Sequence, residues 1–135
     1  MTSSAAPLSA DLAALAAEQY VSITTFRRTG VGVATPVWIA RDGEALVFTT
    51  GLESGKVKRL RNNGDVELRP CTRTGEVADD APRIEAHADV ILDPEGVDAG
   101  IAAIVAKYGD QARRLMSLGE SDERPKRAVI RITTR

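Results

Sequence analysis

Between residues 20 and 50 the chain alternates β-favouring runs with turns too short to hold a helix: YVSITTF, RRTG, VGVATPVWIA, RDGE, ALVFTT. Three strands joined this tightly must lie beside their neighbours in an antiparallel sheet, because a parallel crossover needs a dozen residues or more. This spacing constrains the architecture more than any other feature. The strands are expected at 20–26, 31–40 and 45–50, with Asp-Gly at the centre of the second turn. Pro36 cannot donate to a ladder, so its strand is expected at an edge, at a bulge or where the ladder is open.

The rest of the chain extends the pattern. Ser9 is placed to cap a short helix with Leu12, Leu15 and Ala16 on one face. Ser54 stands before GKVKRLRN, expected as a helix to Asn62 with Val57 and Leu60 facing the core. NNG at 62–64 reads as its stop, through residues that tolerate the left-handed conformation. Strands are expected at 65–72, 83–92 and 126–134, and helical pieces at 93–109 and 110–118. Val97, Ile101, Ile104 and Val105 give the longer helix an apolar face. The fold class is therefore mainly β with inserted helices, a six-stranded, closed or nearly closed barrel. A single domain over 1–135 fits this length, with 1–7 as a loose tail.

Charge narrows the function. The net charge is −1, so no broad field of one sign serves nucleic acid or a membrane surface, and five aromatics are too few for base-stacking platforms. No apolar run approaches the ~18 residues of a membrane span, and the start lacks a signal-peptide pattern. The single cysteine, Cys71, forms no intrachain disulfide and suits a reducing compartment, so a cytoplasmic location is expected.

Against that neutral background, four of the six residues from Lys56 to Arg61 are cationic. A helix N-terminus at Ser54-Gly55 would add free N–H donors and a partial positive charge, and Lys56, Lys58, Arg59 and Arg61 could add charge-assisted bonds. Spacing alone does not separate such an anion site from a solvated helix face. The stretch is not a P-loop, since Val57 stands where Ser or Thr is required. Elsewhere no self-contained catalytic set appears. His87 shares a strand face with Arg83, Glu85 and Asp89, as on a solvated surface, and no metal site is expected. Cys71 lacks a second histidine to pair with, there is no G-x-S-x-G elbow, and Asp79-Asp80 sits in a turn. Trp38, the sole tryptophan, fits a core or a ligand pocket equally well. If the protein is an enzyme, a cofactor carries the chemistry.

Three elements in order, ATPVW, then TT, then SGKVKRLRNN, resemble the split-barrel family related to pyridoxamine 5′-phosphate oxidase. More narrowly, residues 20–75 are similar to its branch of F₄₂₀-dependent (deazaflavin) oxidoreductases. The resemblance implies an FMN-binding-type split barrel and a homodimer with two cofactor sites at its interface. It implies that Thr35, Pro36, Val37 and Trp38 run beside the tricyclic ring, with Thr49 and Thr50 near the cofactor's side chain. Ser54, Gly55 and Lys56 would bind the phosphate, and Lys58, Arg59 and Arg61 could serve the glutamyl tail. Arg69 and Cys71 lie on the next strand as further candidates. The implied chemistry is hydride transfer from C5 of coenzyme F₄₂₀ to a conjugated substrate, with no catalytic side chain required. FMN in the same fold, and a non-catalytic F₄₂₀ carrier, stay open. The chain departs from the pattern around 76–90, where it has Ala86 and no tryptophan, and it lacks the Arg/Trp-rich C-terminal motif of true pyridoxamine phosphate oxidases. Lys56 is expected to be exposed.

Overall fold

The computed structural model describes residues 7–52, 54–115 and 127–134. Residues 1–6 of the expected tail at 1–7, and the end of the expected helical piece at 116–118, lie outside them. In chain order the elements are α1 (Ala10–Leu15), β1 (Val21–Phe26), β2 (Gly32–Val37), β3 (Ala40–Asp42), β4 (Ala45–Gly51) and α2 (Gly55–Asn62). There follow β5 (Asp65–Pro70), β6 (Ile84–Ile91), α3 (Pro94–Tyr108), α4 (Asp110–Leu115) and β7 (Arg127–Thr134).

All strand pairs are antiparallel, in the order β2-β1-β5-β6-β7-β4-β3. The sheet therefore has seven strands, where six were expected. The run 31–40 breaks at Trp38-Ile39: its first part pairs with β1, and its last residue begins β3, which pairs with β4. Pro36 lies on edge strand β2, opposite Ser22.

This break dictates the shape. β2 and β3 form opposite edges of the sheet, yet Val37 and Ala40 are three residues apart. Three residues reach at most about 11 Å. Six interstrand spacings in a flat sheet would span about 29 Å. The sheet must roll until its edges meet at Trp38-Ile39, which makes it a split barrel.

Alternation then sorts side chains into two cores. Val21, Ile23, Leu46, Phe48, Leu68, Ile130 and Ile132 point into the barrel, whose ends are plugged by Leu12 and Leu15 of α1 and Val57 and Leu60 of α2. On the outer face Ala40, Val47 and Val129 pack under Ile104 of α3. Gly100 allows this seat: a Cβ there would stand 2.5 Å from Val129 Cγ1. Three of the four helices among the described residues begin on a capping side chain. Ser9, Ser54 and Asp93 accept hydrogen bonds from the N–H groups of Leu12, Val57 and Gly96.

Two turn expectations change. Asp42 pairs with Ala45, so the β3–β4 loop is Gly43-Glu44, with Gly43 at φ +62°. Helix α2 stops because Asn63 is extended (φ −150°), without a left-handed residue. Asn63 Oδ1 instead accepts from Asp65 N at 3.0 Å, and Gly64 makes room for the His87 ring, 2.6 Å from where its Cβ would stand. The face bearing Arg83, Glu85, His87 and Asp89 is exposed, as expected.

Candidate functional site

Where the sheet edges meet, a cleft of about 250 Å³ opens between Pro36, Val37, Trp38, Thr49, Thr50, Lys56, Ile104 and Arg127. Six of these eight residues were singled out from sequence. They arrive from five places: the end of β2 with the crossover, the end of β4, the first turn of α2, and, for the other two, α3 and the start of β7.

One end of the cleft is cationic. Ser54 Oγ accepts from Val57 N–H at 3.3 Å and from the Thr50 hydroxyl at 3.1 Å. Both acceptor positions are then used, and the hydroxyl's own proton is left to donate. The N–H groups of Gly55 and Lys56 occupy the first helical positions, where no intrahelical acceptor exists. Lys56 is half-buried, not exposed as expected. Its pKa lies below the ordinary lysine value, first through burial and then through the Arg59 guanidinium nearby. Gly55 lets that guanidinium lie over the first turn, 2.7 Å from where a Cβ would stand. Two side-chain cations and the positive end of a helix thus converge, and no ion pair joins them among the described residues.

Arg127 completes this end, and sequence reasoning missed it. Its Nε donates to Thr49 Oγ1 at 3.1 Å, while Thr49 donates to the Ala128 carbonyl at 2.9 Å. Burial lowers its pKa too. The bond orients the guanidinium, and its remaining N–H groups have no acceptor among the described residues. Only the β4–β7 register, Gly51 opposite Arg127, brings it here.

The other end is apolar: Pro36, Val37, Trp38 and Ile104. Trp38 stacks on Tyr108, with centroids 4.4 Å apart and planes within 7°.

The remaining candidates lie off the cleft wall. Arg59 Nε is held by Thr25 Oγ1 at 2.6 Å. Lys58 and Arg61 are exposed on α2. Arg69 donates to the Ala81 carbonyl at 2.9 Å, and its Nε is buried without an acceptor among the described residues. The Thr35 hydroxyl is likewise buried and unpartnered among the described residues, one position before the lining run. Cys71 is half-buried in a separate depression with Glu18 and Tyr20, and burial pushes its thiol up.

No helix among the described residues is long and apolar enough to cross a membrane. No curated protein matches the sequence. The conserved hypothetical protein Rv2991 from Mycobacterium tuberculosis shares the fold at 19% identity and TM-score 0.68, over 99% of this chain and 86% of that one. The heme storage protein HutZ from Vibrio cholerae does so at 14% identity and TM-score 0.67, over 96% and 92%. An F₄₂₀ reductase does so at 23% identity and TM-score 0.54, over 90% and 91%. The family pattern described as pyridoxamine 5′-phosphate oxidase matches residues 9–135, nearly the whole chain, and this chain belongs to that family.

Proposed function

We propose that the protein is an oxidoreductase that binds coenzyme F₄₂₀ in this cleft and transfers hydride to or from a small conjugated organic substrate. One observation carries the proposal: an anion-seeking end and a flat apolar end face each other across the same cleft. That is the polarity of a phosphorylated, ring-bearing cofactor. The donors fit such a group, since the Ser54 proton, the Gly55 and Lys56 N–H groups, the Lys56 ammonium and the Arg127 N–H groups other than Nε all lack acceptors among the described residues. Likeness to an F₄₂₀ reductase, with the resemblance over residues 20–75, favours the deazaflavin over FMN.

When bound, the deazaflavin would supply a hydride from ring carbon C5 in its reduced form or accept one there in its oxidised form. The residues around it bind, orient and exclude water. Ser54, Lys56 and Arg127 hold the phosphate, while Pro36, Val37 and Trp38 present the apolar wall. Thr49 keeps Arg127 aimed by the bond to its Nε. Lys58 and Arg61, exposed on the same helix, would be available to an acidic tail.

A homodimer belongs to this proposal. No residue of β2 is fully buried, and one chain's cleft is below the ~300–1,000 Å³ usual for ligand pockets. A second copy would supply the missing wall. A cytoplasmic setting agrees with the lone cysteine.

Titrating the purified protein separately with F₄₂₀ and FMN, followed by ligand fluorescence, tests the assignment. The expected result is saturable binding of F₄₂₀ in the micromolar range or tighter. Binding of FMN alone would move the protein to flavin chemistry. Tight F₄₂₀ binding without oxidation of its reduced form by a panel of enones would make the protein a carrier.

A further inference from the structure

The last turn of α3 holds the crossover that closes the barrel. Lys107 Nζ donates to the carbonyls of Ala16 at 2.8 Å and Ile39 at 2.6 Å, and to that of Glu18. Three ammonium donors thus meet three carbonyls. The next residue, Tyr108, accepts the Ile39 N–H at 3.1 Å and donates to the Gln19 carbonyl at 2.7 Å. Its ring covers one face of Trp38. Lys107 Nζ stands 5.0 Å from that ring's centroid, within cation–π range. Both polar groups of the Ile39 backbone are therefore gripped by two consecutive residues of α3, and Ile39 itself is wholly buried.

Trp38 sits immediately before this grip, lines the cleft and has one indole face occupied. A half-buried tryptophan at a strand break would otherwise have several rotamers open to it. We infer that Tyr108 is a positioning residue of the cleft. By anchoring the crossover at Ile39 and stacking on Trp38, it fixes the indole as the wall against which a planar ring lies. The wall is thus set from α3 and the α1–β1 segment, neither of which belongs to the ATPVW strand. This inference rests on the cofactor reading above for its effect on affinity, and on the geometry alone for its effect on Trp38.

Trp38 is the sole tryptophan of the chain, so its emission reports this position without ambiguity. The full chain would be compared with Tyr108→Leu, which removes the ring, and Tyr108→Phe, which keeps the ring and removes the hydroxyl. Acrylamide quenching of Trp38 should rise about twofold in Tyr108→Leu as the second indole face opens. The dissociation constant for F₄₂₀ should rise about tenfold, the order expected for a lost aromatic wall. Affinity for inorganic phosphate, a probe of the Lys56–Arg127 end, should not change; a purely structural collapse would lower both. Tyr108→Phe should show a smaller change in the same direction. Wild-type quenching and F₄₂₀ affinity in Tyr108→Leu would overturn the inference. If Tyr108→Leu does not fold, Tyr108→Phe decides on the same readouts. If the wild-type protein binds neither F₄₂₀ nor FMN, the cofactor reading fails, and quenching in the variants still decides the positioning role.

Discussion

Lys56 concentrates the chemistry of the proposed site in one side chain. It is half-buried beside Arg59 and the N-terminus of α2, and no carboxylate pairs with it among the described residues. Such a charge is costly to the empty fold and valuable to an anionic ligand. Lys56→Ala should therefore weaken F₄₂₀ binding by about 1–3 kcal/mol, the value of a charge-assisted contact. The melting temperature should stay level or rise, because burial disfavours the ammonium in the folded state. Titration and thermal melts of the same preparations check both. The lowered pKa fixes a sign for pH. Below it, Lys56 is charged with and without ligand, and affinity is full. A bound anion raises that pKa, so above the free-state value binding takes up a proton and affinity falls as pH rises. The fall should begin below the ordinary lysine pKa and should be absent in Lys56→Arg up to about pH 10. A flat wild-type profile over that range would mean that Lys56 does not contact the ligand.

At the scale of elements, α2 and α3 show what local sequence can and cannot specify. The cap at Ser54, the apolar pair Val57 and Leu60, and the cations between them are short-range features, and α2 forms as its spacing demands. The hairpins are equally local. The break at Trp38-Ile39 is not: VGVATPVWIA is β-favouring throughout, and only the demand of two sheet edges for the same segment divides it. Arg127 was illegible for a related reason. It joins Thr49 across the β4–β7 register, which no spacing within either strand reveals. Tyr108 reaches Ile39 across a sequence separation of 69. Helix α3 depends on one close approach, Gly100 against Val129, itself 1% exposed. Gly100→Ala should therefore destabilise the fold by about 1–3 kcal/mol through overpacking, despite alanine's better helix propensity. Denaturant unfolding measures this; a variant as stable as the wild type would show that α3 shifts on its sheet without cost.

For the whole molecule, the rolled sheet is what creates the site. Closing seven strands through a two-residue crossover brings the end of β2 beside the end of β4, the start of β7 and the start of α2. The cleft lies along that seam, cationic at the α2 end and apolar at Trp38. The central claim is that this seam receives the phosphate and ring of one cofactor. A crystal structure of the protein soaked with F₄₂₀ tests it most directly. It should show the phosphate against the Gly55 and Lys56 N–H groups and Arg127, with the ring on Trp38. Density for F₄₂₀ elsewhere, such as the depression formed by Arg27, Arg28 and Asn62, with the seam empty, would contradict the account.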